Sequence, residues 1–185
     1  MGSEALIIID LQNCCFDATG LTPLREELVT KVNRLVKGAR SNKVPVIWIT
    51  EAMSDDLSDV PLRVRRSKEP PHTQSSKAAQ LLPELDYEPT DFRMFKTLPS
   101  AFLKTDLEKR LRELNVEFVM LAGVNADVCI LATALDGYQR DFEMLVLADC
   151  VGCANPAQKR MVLSYMSQWM AKIGDSDTVL KTWNS

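Results

Sequence analysis

A three-layer α/β/α fold with a mostly parallel, Rossmann-like central sheet is predicted for this chain by three observations. Apolar runs of strand length recur along its 185 residues, amphipathic stretches at helical spacing separate them, and the runs are continuous rather than alternating with polar residues. Strands covered on both faces by helices read in this way, because both of their faces are buried. The length suits one domain, residues 1–185, with a substantial core.

The first strand is predicted at residues 5–10, Ala5-Leu6-Ile7-Ile8-Ile9-Asp10, and the first helix at 24–39, where Leu24, Leu28, Val32, Leu35 and Val36 share one face. A second strand follows at 44–49. Residues 51–88 are polar and proline-bearing, with one short helix predicted at 76–82, and read as a long connection lying over the sheet. A short strand is predicted at 92–95, then a helix at 100–114, where Phe102, Leu103, Leu107, Leu111 and Leu114 align. The fourth strand is placed at 116–122, a helix from Cys129 to about 140, and a fifth strand at 144–147. A last long helix is predicted at 156–172, with Pro156 in its first turn where a missing N–H costs nothing, and a final strand at 178–180.

Composition narrows the function. With 22 basic and 25 acidic residues and a net charge of -3, the chain lacks the basic excess of a nucleic-acid binder. Its one basic cluster, Arg63, Arg65, Arg66 and Lys68, is bracketed by Asp55, Asp56, Asp59 and Glu69 and reads as a solvated loop. No charged leader precedes a long apolar stretch and no apolar run reaches bilayer length, so neither export nor a membrane is expected. Five cysteines, including adjacent Cys14 and Cys15, form no regular disulfide framework, which points to a reducing compartment and a cytoplasmic protein.

Chemistry is expected at the carboxyl ends of the strands, where Asp10, Lys96 and the Gly123 to Cys129 loop converge. Cys129, after an apolar strand and at the start of a helix, is the candidate nucleophile, its thiol pKa expected to be lowered by the helix dipole. The single histidine, His72, lies in a proline-flanked loop and reads as a surface residue, so a cysteine nucleophile here calls for a carboxylate base. Zinc sites built on several histidines are excluded, no cofactor is called for, and glycine-rich phosphate loops are absent. Cys150 and Cys153, spaced as a dithiol, read as small residues in a packed loop, with a redox pair as the rival.

Three segments carry a resemblance to the isochorismatase-like hydrolase superfamily, whose cysteine hydrolases include nicotinamidases, N-carbamoylsarcosine amidases, biuret hydrolases and ureidoacrylate amidohydrolases. They are Ile8-Ile9-Asp10-Leu11-Gln12-Asn13, Phe95-Lys96-Thr97-Leu98-Pro99-Ser100-Ala101-Phe102 with Thr105-Asp106-Leu107, and Gly123 to Cys129 continuing through Thr133-Ala134 to Ala148-Asp149. The resemblance implies a catalytic triad of Asp10, Lys96 and Cys129. It further implies a cis peptide at Val124-Asn125 and an oxyanion hole made by the backbone N–H groups of Asn125 and Cys129. In that scheme Asp10 takes the thiol proton, Lys96 favours a thiolate near neutral pH, and a small amide or ureide is hydrolysed through a thioester. A homo-oligomer is implied in the same way.

Departures from the family pattern bear on the substrate. The Asp-x-His motif of metal-dependent nicotinamidases is replaced by Thr50-Glu51-Ala52-Met53-Ser54-Asp55, so the nicotinamidase reading loses its main support, and no metal is expected; Asp127, Gly137 and Cys150 stand where threonine, alanine and alanine are frequent. Phe16 and Trp48, near the mouths of the first two strands, are the candidates to stack on a planar substrate. Enol-ether hydrolysis of the isochorismatase type, which needs no cysteine, and a catalytically idle binding or scaffold member are the alternatives.

Overall fold

The computed structural model describes residues 3–16 and 20–184. Six strands, β1 (Ser3–Ile9), β2 (Val46–Glu51), β3 (Phe92–Lys96), β4 (Val116–Val124), β5 (Glu143–Gly152) and β6 (Lys172–Gly174), form one sheet in the order β3-β2-β1-β4-β5-β6. Every neighbouring pair is parallel. The chain winds outward from β1 to β3, then crosses back to place β4 on the other side of β1. The ends of β1 and β4 therefore flank the switch point at which such sheets open a crevice.

Strand parity sorts the side chains into two apolar layers. Ile7, Ile9, Ile47, Ile49, Val119, Leu121 and Val146 face one side, packed against residues of α3 (Leu107–Glu113), α4 (Leu131–Tyr138) and α5 (Pro156–Met166). Leu6, Ile8, Trp48, Met120, Ala122 and Leu147 face the other, under the stripe Leu28, Val32, Leu35 and Val36 of α1 (Arg25–Ser41). Each such fully buried aliphatic contributes about 1.5 to 3 kcal/mol, so a one-residue slip in any strand would be costly. Among the described residues no helix is long and apolar enough to cross a membrane.

The structure corrects several boundaries. Residues 100–106 are not helical: Lys104 takes a left-handed φ of 60° and the Thr105 hydroxyl caps back to the Ala101 carbonyl, so α3 begins only at Leu107. The helix expected from Cys129 divides into a five-residue π-helical turn, Ala126–Ile130, and α4. The final helix and strand are also rearranged. Helix α5 ends at Met166, the last strand is β6 at Lys172–Gly174, and the predicted strand 178–180 lies within α6 (Ser176–Trp183). Asp175 explains the change, since its carboxylate accepts the Thr178 N–H and caps a helix whose Leu180 and Trp183 pack over Gly38 of α1.

Between β2 and β3 the long connection contains a short helix that the pattern did not foretell, α2 (Leu62–Arg65), and a 3-10 turn at Lys77–Ala79 where a longer helix was expected. The connection is pinned to the sheet at its end by Asp91. Its carboxylate accepts from Arg40 at 2.6 Å and from the Trp48 indole N–H at 2.9 Å.

Candidate active site

Asp10 follows the last residue of β1, Lys96 is the last residue of β3, and Cys129 lies in the π-helical turn after β4. The three meet at one end of the sheet. Lys96 Nζ is 2.8 Å from Asp10 Oδ2 and 3.3 Å from Cys129 Sγ, and all three residues are buried.

Local backbone explains this convergence. Asp10 adopts a left-handed φ of 56°, which ends the strand, while its N–H donates to the Ile49 carbonyl at 2.9 Å and so keeps the residue on the β2 side. Beside it, Gly123 pairs with Ile9 at φ 120°, and a Cβ there would lie 2.0 Å from the Ile9 carbonyl oxygen. Only glycine allows β4 to approach β1 this closely at the point where Asp10 is presented. The Val124–Asn125 peptide is cis, and the Asn125 carbonyl accepts from the N–H groups of Val128 and Ile130.

A fourth polar side chain belongs to the cluster and was missed by sequence reasoning. Glu51 closes β2 opposite Lys96 in the β2–β3 register, with Oε2 3.4 Å from Lys96 Nζ. The signal that could have found it is parity: Ile47, Ile49 and Glu51 share one strand face. Ligand atoms of Asp10, Glu51 and Cys129 lie within 4.8 Å of one another, a spacing that a cation could use. The Lys96 ammonium contacts all three. A metal would have to displace it, and the residues therefore fit a built-in cation rather than a metal centre.

Burial dominates the electrostatics. It raises the Asp10 carboxyl above the ordinary value of 3.8, and the Lys96 charge offsets only part of that effect. Burial also pushes the Cys129 thiol well up, with the Asp10 charge adding to it and Lys96 opposing. Lys96 itself is raised, because Asp10, Cys129 and Glu51 together outweigh the burial that works against its charge. This corrects the expectation of a thiolate near neutral pH. The helix-dipole argument presumed a helix N-terminus open to solvent, whereas Cys129 sits in a short, buried turn beside a carboxylate, and burial and that charge both favour the thiol.

The remaining candidates separate. Trp48 is wholly buried in the layer beneath α1, its N–H spent on Asp91 and its ring edge-to-face with Tyr87, so it belongs to the core and does not meet substrate. Phe16 is partly buried and packs against that same layer. His72 is exposed. Cys150 and Cys153 are both free and buried, one in each apolar layer, with burial pushing the Cys150 thiol up to about 12. Their side chains lie in different apolar layers rather than paired in one. The basic cluster is not wholly idle, because Arg63 of α2 donates to Glu51 Oε1 at 2.8 Å.

Comparison with known proteins places this architecture. The isochorismatase domain matches residues 4–178. A probable inactive nicotinamidase of Arabidopsis thaliana is 30% identical over 162 residues, covering 83% of each chain. A ureidoacrylate amidohydrolase of Methylobacterium radiotolerans is 27% identical over 178 residues, 82% of this chain and 67% of that one. Among solved structures, a cysteine hydrolase from Pseudomonas syringae pv. phaseolicola superposes with a TM-score of 0.89 at 21% identity, over 98% of this chain and 92% of the other, a likeness of fold.

Proposed function

Since the chain belongs to the isochorismatase-like hydrolase family, we propose that it hydrolyses a C–N bond of a small amide or ureide by covalent catalysis at Cys129. The observation that carries this reading is the contact of one buried ammonium with both a carboxylate and a thiol, Lys96 Nζ to Asp10 Oδ2 at 2.8 Å and to Cys129 Sγ at 3.3 Å.

The reaction begins from a neutral thiol. As Cys129 Sγ attacks the substrate carbonyl carbon, its proton passes to Asp10, whose raised pKa makes it a better acceptor than an ordinary carboxylate. Asp10 Oδ1 is buried without a hydrogen-bond partner and is the lone pair available for this transfer. Lys96 stays charged and stabilises the negative charge passing through sulfur, while the N–H groups of Asn125 and Cys129 receive the oxyanion. Collapse expels ammonia or an amine, which leaves with the proton held by Asp10. Water then attacks the thioester, giving its proton to Asp10, and the released thiolate takes that proton back. Phe16, just beyond Asp10, is the aromatic side chain left to contact a planar substrate, and oligomerisation is expected of the family fold.

The test is ammonia release from a panel of small amides and ureides by the wild-type protein and by Cys129→Ala. Loss of at least about a thousandfold in the variant is expected for removal of an activated nucleophile. Undiminished turnover by Cys129→Ala would defeat the covalent route.

A further inference from the structure

Glu51 is held with more care than a passing surface carboxylate. The β2–β3 register sets it directly beside Lys96. Its backbone is clamped on both sides by the fully buried Gln12, whose Oε1 accepts the Glu51 N–H at 2.8 Å and whose Nε2 donates to the Glu51 carbonyl at 2.9 Å. Arg63 occupies Oε1, leaving Oε2 at 3.4 Å from the lysine. Gln12 is two residues beyond Asp10, so one short segment carries both the base and the clamp on the second carboxylate.

We propose that Glu51 is a positioning residue of the catalytic centre, holding Lys96 in place as a charged ammonium during the interval when Asp10 is neutral. This inference rests on the covalent reading above. In the resting site the ammonium faces two carboxylates, Asp10 from the end of β1 and Glu51 from β2, with the Cys129 thiol from the π-helical turn and Arg63 of α2 behind Glu51. Once Asp10 accepts the sulfur proton, the nearer counter-ion is gone. A buried ammonium with no carboxylate beside it loses its proton readily, and a neutral lysine could no longer stabilise the oxyanion or the departing thiolate. Glu51 lies off the path of the proton, with Oε2 3.4 Å from Lys96 Nζ, and so remains beside the ammonium after Asp10 has taken the proton.

The neutral-Asp10 state can be held still with Asp10→Asn, and Cys129 can then report the lysine's charge through the pH dependence of its alkylation by iodoacetamide, read by peptide mass spectrometry. If Glu51 merely repelled the thiolate, adding Glu51→Gln to Asp10→Asn would move the alkylation midpoint to lower pH. If it keeps Lys96 charged, the midpoint moves to higher pH, and labelling at a fixed pH below the midpoint falls about tenfold for every pH unit by which the midpoint rises. A midpoint that moves down or stays where it was overturns the proposal. A second measurement serves if the double variant does not fold: the alkaline limb of thermal stability in Glu51→Gln alone. Lys96, raised in the folded protein, contributes stability that is present below the unfolded pKa and lost as pH rises through its folded pKa, so in Glu51→Gln that contribution should be smaller and its alkaline loss complete at lower pH than in wild type. An unmoved limb overturns the proposal as well. Neither readout needs a substrate, so a wild-type protein that releases no ammonia from the panel would sink the reaction while leaving the hold of Glu51 on Lys96 separately decided.

Discussion

Replacing Lys96 by methionine preserves much of the stem's volume and deletes the charge, which isolates what the ammonium does for the fold. The lysine side chain is 0% exposed and the Asp10 side chain 3% exposed, so solvent cannot take the place of the lost partner. Breaking a buried pair by removing one member costs about 3 to 5 kcal/mol, equivalent to a fall in Tm of roughly 6 to 20 °C for a domain of this size. The loss should depend on pH, and its sign is fixed by Asp10. In wild type that carboxyl is already raised by burial, with Lys96 pulling it back. Without the lysine it rises further, and the folded variant then binds a proton that the unfolded chain has released. Over the window between the ordinary value of 3.8 and the new folded value, stability falls as pH rises. Thermal melts of wild type and Lys96→Met at about pH 5 and about pH 8 should therefore show the larger deficit at the higher pH. A deficit under about 1 kcal/mol, the scale of an exposed pair, or one that is equal at both pH values, would refute the claim that removing Lys96 leaves Asp10 buried without its partner.

Two further substitutions probe the scaffold around the site. Gly123→Ala forces a left-handed φ on alanine and drives its Cβ onto the Ile9 carbonyl, so chemical denaturation should show a loss of about 2 to 6 kcal/mol, with wild-type stability contradicting the close approach of β4 to β1. Trp48→Phe removes the N–H bonded to Asp91 and leaves a gap in the layer under α1; a stability loss of about 1.5 to 3 kcal/mol with kcat and KM unchanged is expected, whereas a raised KM at undiminished stability would put Trp48 back at the substrate.

The three chemical positions were legible because each sits at a break between a hydrophobic pattern and a polar residue: Asp10 closes an apolar run, Lys96 another, and Cys129 opens the stretch after a third. The family resemblance tied them together. Glu51 was not legible as a partner because its meaning depends on which strand lies beside β2, and that pairing is set by a chain reversal that no local pattern encodes. Gln12 was hidden for a similar reason, since its clamp on Glu51 spans 39 positions. The last strand was misplaced because Lys172-Ile173-Gly174 is too short to show a period, whereas Thr178-Val179-Leu180 is β-rich in composition yet lies behind the Asp175 cap. The local Asp175 cap and the packing of the helix on α1 together overrode strand propensity there. The direction in which the Cys129 pKa moves was read wrongly for a deeper reason: charge and helix position can be inferred from order along the chain, but depth of burial belongs to the assembled fold.

That error changes how the proposed chemistry must run. A pre-formed thiolate would demand that Lys96 outweigh both burial and Asp10, and it does not. Burial instead raises both the thiol and the carboxyl, so the proton stays on sulfur at rest and Asp10, raised above an ordinary carboxyl, is the base beside it. The proton then moves when a carbonyl arrives to take up the electron pair on sulfur, and the negative charge appears beside the one ammonium that was there from the start. A neutral resting thiol is also a poor target for alkylating and oxidising agents. In the proposed reaction the substrate's own electrophilic carbon confers the reactivity, and the part assigned to Lys96 falls in the states after Cys129 has begun to react rather than in its readiness beforehand.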